Sequence, residues 1–206
     1  STYQTDKYWI AEGSKGLRSI QRKGSNSFEA LNEPIILDGP YSNSAFDIVC
    51  KNDKVYMIIG GKDLLNGKRF DKGGYILTYD YDKWSFIDPK EAQKKLNLPR
   101  NPRDYTSIAV TTDDSNDEIV YASSMGDGVI QYKNGTPVQS YNEKNAFKET
   151  AGGYGSGYCY IDGLAFDKNG NLWMTSSEVN HAVLVLDKAG AWHRLDIEQL
   201  RGVYTI

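Results

Sequence analysis

Two acidic residues stand where oxygen-ligand chemistry would want them. Asp47 precedes the apolar run Ile48-Val49-Cys50, and Asp162 precedes Gly163-Leu164-Ala165-Phe166, so each sits near the start of a β-prone segment. A divalent cation held by several such carboxylates could polarise an ester carbonyl, but it needs convergent Asp, Asn or Glu oxygens from separate segments. The third comparable segment carries Thr106-Ser107 instead. Two carboxylates are too few, and both read better as side chains that cap turns or accept exposed amides.

Other reactive groups are equally isolated. Asp167-Lys168-Asn169-Gly170-Asn171 has the flavour of a calcium loop but lacks the later bidentate Glu, and its Asn-Gly pair suits a hairpin turn. The acidic run Asp113 to Glu118 reads as a solvated loop tip. His181 and His193 stand alone, and Gly153-Tyr154-Gly155-Ser156-Gly157 misplaces the Ser of a nucleophile elbow. The segment Thr150 to Tyr158 is the most unusual loop. Its glycines free the backbone, while Tyr154 and Tyr158, with Tyr160 beyond, offer flat amphipathic rings suited to stacking on sugars or gripping peptides. Packing of the same rings against neighbouring strands is the competing reading. The candidate ligand contacts are therefore Tyr154, Tyr158, Tyr160, Asp162 and Asp47. No catalytic residue, metal or cofactor is expected.

The elements that must position these residues are strands. Tyr160 to Phe166, Leu172 to Ser176, Ala182 to Leu186 and Trp192 to Leu195 are β-prone runs separated by Gly, Asn, Asp or Lys, which is the pattern of a four-stranded meander. Such a sheet cannot bury both faces alone, so copies should be stacked against it. Copies are visible in YWIAEGSKGLRSI from Tyr8, VYMIIGGKDLLNGKRFDKGGYILTYD from Val55 and VYASSMGDGVIQYKNG from Val120, beside LWMTSSEVNHAVLVLDKAG from Leu172. Their starts lie about 47, 65 and 52 residues apart, near the span of propeller blades with insertions. Phe46 to Cys50, Ser107 to Thr111 and Ile161 to Phe166 read as innermost strands, and Trp84 to Ile87, Val138 to Tyr141 and Trp192 to Leu195 as outer ones. Asp88-Pro89-Lys90-Glu91 is an N-terminal helix signature, so one short helix is expected before Pro99. Ile197 to Leu200 suggests one further helical turn.

Composition agrees with an all-β chain. The 206 residues include 15 Tyr and 20 Gly, which favour sheets with short turns. A net charge of -3 with interspersed signs lacks the basic footprint of a nucleic-acid binder. No apolar run approaches the roughly 20 residues of a membrane span. Cys50 and Cys159 read as buried free thiols, with a disulfide between them as the alternative.

The residues Gly163 to Ser177 and Val183 to Ile197 resemble blades of the PorZ-like family, cell-envelope propeller proteins of Bacteroidetes-type bacteria associated with the type IX secretion system. That family is related to the two-component-regulator propellers of hybrid sensor kinases, and Tyr8 to Ile20 and Val120 to Gly135 are similar to further blades. The resemblance implies a non-enzymatic binding module outside the cytoplasm. The alternatives it leaves open are the periplasmic sensor domain of a hybrid histidine kinase and, from the likeness of Asp162 to Asp167 to gluconolactonase-type propellers, a metal-dependent sugar lactonase. The expected fold is a β-propeller segment of about four four-stranded antiparallel blades, spanning 1–40, 41–103, 104–150 and 151–200, with a further strand beginning at 202–206. It is expected to be an incomplete propeller within a longer protein. Its partners would be other blades or domains of that protein, a cell-envelope protein or glycan, or a second copy meeting its exposed terminal blades, and not nucleic acid.

Overall fold

A computed structural model describes residues 7–12, 17–35, 39–81, 83–147 and 157–200. The chain divides into two compact units between Gly39 and Pro40. The first holds an antiparallel meander of β1 (Lys7–Ala11), β2 (Leu17–Gly24) and β3 (Ser27–Ala30). Tyr8 of β1 and Phe28 of β3 meet edge to face on one of its surfaces.

The second unit repeats one plan three times. The first meander is β4 (Ala45–Lys51), β5 (Lys54–Ile59), β6 (Ile76–Asp80) and β7 (Lys83–Ile87). The next is β8 (Tyr105–Thr112), β9 (Glu118–Gly126), β10 (Gly128–Lys133) and β11 (Thr136–Tyr141). The last is β12 (Cys159–Phe166), β13 (Leu172–Ser176), β14 (Val183–Leu186) and β15 (Trp192–Leu195). Within each meander the described strands pair antiparallel, and the innermost strands β4, β8 and β12 lie side by side. These are the four-stranded blades of a β-propeller, as the repeated lines predict. One junction is additional. β9 runs two residues past β8, and its overhang Met125-Gly126 pairs with Tyr160 and Cys159 at the start of β12.

Burial shows why the repeat is needed. Along β9, Val120 and Ala122 join a core with Tyr56, Ile58 and Ile76 of the preceding blade, whereas Ile119 and Tyr121 join one with Ile161, Leu172 and Leu184 of the following blade. Alternate side chains leave a strand on opposite faces, so β9 buries side chains on both sides of its blade and depends on a neighbour on each. The helix α1 (Pro89–Leu96) follows Asp88, whose carboxylate accepts the Lys90 amide, and Ala92 is fully buried in the first of these cores. Single turns of π-helix and 3₁₀-helix occupy Glu143–Phe147 and Glu198–Leu200. Both thiols are free; Cys159 is buried, but Cys50 is exposed because it lies on the outward face of β4. Among the described residues no helix is long and apolar enough to cross a membrane.

Candidate functional site

The three innermost strands share an irregularity at one position. Pairing slips by a residue between Ala45 and Asp47, between Tyr105 and Ser107, and between Ile161 and Gly163. The extra residues are Phe46, Thr106 and Asp162, each a β-bulge. Asp47 pairs with Ile58, Ser107 with Ser123 and Gly163 with Thr175, so Asp47 corresponds to Gly163 rather than to Asp162. The expected equivalence of the two carboxylates is thereby corrected: a one-residue offset in a strand sends side chains to opposite faces.

Each carboxylate is engaged within the fold. Asp47 Oδ2 accepts the Ser107 hydroxyl and the Ile108 amide, both at 3.1 Å, and its Oδ1 accepts the Ile48 amide at 2.8 Å. Ser107 Oγ in turn accepts the Leu164 amide of the next blade at 3.2 Å. The same strand position thus receives the following blade's amide twice, a hydrogen-bonded stitch between inner strands. Asp162 accepts the Ser177 hydroxyl at 2.5 Å and pairs with Lys62 at 2.8 Å. Among the described residues no three His, Cys, Asp or Glu side chains converge as a metal-ligand set.

Tyr158 and Tyr160 stand at the same end of the molecule as Lys62. Tyr158 is half-buried. Arg69 donates to its hydroxyl, and the guanidinium carbons of Arg69 and Arg100 lie 5.8 and 5.7 Å from its ring centre. Arg69 also donates from Nε to Asp104 Oδ2 at 3.0 Å, and Arg100 pairs with Asp127 at 2.7 Å. Burial opposes the charge on Arg69, but Asp104, which has no exposed surface, and the Tyr158 hydroxyl together outweigh it and hold the guanidinium more firmly charged. Tyr160 departs from expectation. It is only 5% exposed, packed with Met125 beneath Tyr158, because its backbone pairs with β9 and turns the ring inward. It supports Tyr158 instead of offering a face to a ligand. Tyr154 lies outside the described residues.

The opposite, hairpin end carries a repeat of its own, spelled in the turns rather than in the strands. Asp113, Asp167 and Asp187 each begin a five-residue turn whose Oδ1 accepts the amide four residues on, at 2.9, 2.9 and 2.8 Å. The fourth residue of each, Asn116, Gly170 and Gly190, has a left-handed backbone. The shared spelling is Asp, two free positions, then Asn or Gly. The three turns rim a cleft of about 690 Å³ between the last two blades, floored by Tyr121, Tyr141, Phe166 and Leu186. Asp167 is the most heavily bonded: the Trp173 indole, the Asn171 side chain and two amides hold its carboxyl down at about 2. This explains why the calcium-like spelling forms a turn, since its oxygens are already taken.

Overlaid on solved structures, the whole chain matches PorZ, an essential bacterial surface component of the type-IX secretion system of Porphyromonas gingivalis, at a TM-score of 0.68 and 21% identity. The chain shares its fold with PorZ. It covers 100% of this chain and 26% of the PorZ chain, so the sequence spans about a quarter of that protein's length. A periplasmic gluconolactonase of Pseudomonas aeruginosa overlays at a TM-score of 0.44 and 12% identity, covering 89% of this chain and 49% of the other. The extracellular domain assigned to a hybrid two-component system of B. thetaiotaomicron overlays at 0.36 and 15%, covering 95% and 27%. No family model matches the chain, and no curated protein does.

Proposed function

We propose that this chain is a non-enzymatic binding module within a larger extracytoplasmic bacterial protein, and that the protein serves type IX secretion at the cell surface as PorZ does. The observation that carries the reading is the overlay on PorZ along the whole chain, at a TM-score well above those of the lactonase and the sensor domain. The engagement of Asp47 and Asp162 by Ser107, Ile108, Ser177 and Lys62 supports the non-enzymatic part, because a hydrolytic centre would need those oxygens for a metal or water. The loop-bearing end around Tyr158, Arg69 and Arg100 is the proposed contact face, offering an amphipathic ring held between cations to a protein or glycan of the cell envelope. The test is deletion of the gene in its own host. Type IX cargo should be retained instead of released, and a copy carrying Tyr158→Ala with Arg100→Ala should restore secretion only in part. Normal cargo release after deletion would overturn the secretion role.

A further inference from the structure

We propose that the tip of the excursion between β5 and β6 docks on an anionic lipid surface. Residues 60–75 leave the blade as a small hairpin in which Lys62 and Arg69 pair across from one another. Its tip, Asp63 to Lys68, is tied by five hydrogen bonds of its own. The Asp63 amide donates to the Lys68 carbonyl at 2.8 Å and the Gly67 amide to the Asp63 carbonyl at 2.7 Å. The Asp63 carboxylate accepts the Leu65 amide at 2.8 Å and the Asn66 side chain at 2.9 Å, and Asn66 Oδ1 accepts the Lys68 amide at 2.8 Å. This bonded turn holds two adjacent leucines outward: Leu64 is 80% exposed and Leu65 97%, with Phe70 at 47% beside them. Among the described residues these two are the most exposed large apolar side chains, and their adjacency makes a contiguous patch of the kind that marks an interaction site.

Charge indicates which partner. Residues 60–75 hold Lys62, Lys68, Arg69 and Lys72 against Asp63 and Asp71; Lys62 and Arg69 are taken up by Asp162 and Asp104 outside the excursion, which leaves Lys68 and Lys72 as its available cations. The Asp63 carboxylate is taken up by the turn, and Asp71 faces Arg69 and Arg103 at 3.4 and 3.9 Å. Lys68 and Lys72 are exposed, and among the described residues neither meets a carboxylate; Lys72 lies over the Phe70 ring at 5.5 Å. Apolar side chains that project beyond flanking cations suit the boundary between headgroups and acyl chains, where leucines enter and lysines meet phosphates. A stable protein partner would need about 800 Å² from each side, more than a six-residue tip can offer, whereas a lipid surface accepts a tip of any size.

The proposal stands apart from the secretion role and is tested with the 206-residue chain and vesicles. The chain should co-sediment with vesicles of phosphatidylcholine mixed with phosphatidylglycerol, bind those of phosphatidylcholine alone more weakly, and come off as salt rises. Leu64→Ser with Leu65→Ser should weaken binding by about a hundredfold, and Lys68→Gln with Lys72→Gln by about tenfold, with a flatter salt dependence. Because both leucines are exposed, the double variant should unfold at the same denaturant concentration, which separates lost docking from lost structure. No binding to the mixed vesicles, as expected if the tip enters a protein groove, would overturn the proposal. So would equal binding by the leucine variant.

Discussion

At the scale of single residues, the least replaceable polar group is Asp104. It has no exposed surface and a left-handed backbone, and its two oxygens hold the Lys72 amide and the Arg69 guanidinium. Arg69 keeps Asp71 and the Tyr158 hydroxyl when Asp104 is removed, but the buried Lys72 amide contact and one charged hydrogen bond are lost, so Asp104→Ala should lower unfolding free energy by about 2 kcal/mol in urea titration. A loss below about 1 kcal/mol would mean that water readily replaces the carboxylate there. Asp167 makes a pH prediction. Its folded carboxyl lies near 2, below the ordinary value of about 4. A depressed carboxyl stabilises the fold above its unfolded value and loses that contribution as pH falls through its folded one. Asp167→Ala should therefore flatten the acid limb of the stability profile between pH about 4 and about 2, leaving the slope near neutrality unchanged. The turn itself was legible in the spelling from Asp167 to Asn171. The burial of Asp104 was not, since nothing local to Arg103-Asp104-Tyr105 says that Arg69, far back in the chain, will meet it.

At the scale of elements, strands and turns follow from local chemistry, and the register within strands does not. Alternating apolar residues and Asn, Asp and Gly turns place β4 to β15 and the helix near where the residues predict them. The bulges at Phe46, Thr106 and Asp162 could not be read, because a bulge is a relation between two strands. The bulge at Asp162 shifts it one position from the place that Asp47 holds, so the two carboxylates are alike in spelling and not in register. Backbone demands at Gly128 were equally silent. It has a φ of +76°, and a Cβ there would stand 2.1 Å from the Tyr141 carbonyl oxygen. Gly128→Ala should cost about 2 kcal/mol by thermal or urea unfolding, mainly through the contact between β10 and β11. A neutral result would show that this edge shifts to admit a side chain.

At the scale of the whole molecule, the repeat in the sequence foretold the blades because a lone meander leaves a face uncovered, and the core clusters on both sides of β9 satisfy that requirement. What the repeat could not foretell is the junction of β9 with β12, which joins two blades through Met125-Gly126 and Cys159-Tyr160. The two thiols report on it. Cys50 is exposed, whereas Cys159 lies in the core at that junction, 2% exposed, with burial and the neighbouring Glu143 pushing its thiol up to about 12. Thiolate is the reactive form, so a thiol reagent at neutral pH should modify one cysteine at once and the other slowly. In Cys50→Ser the remaining rate should rise with urea, because Cys159 is reached only when β12 leaves β9. If that rate rises well below the global unfolding midpoint, the junction opens as a local unit; if it tracks the midpoint, the two blades unfold together. Equally fast labelling of both cysteines in the native protein would contradict the packing of the last two blades.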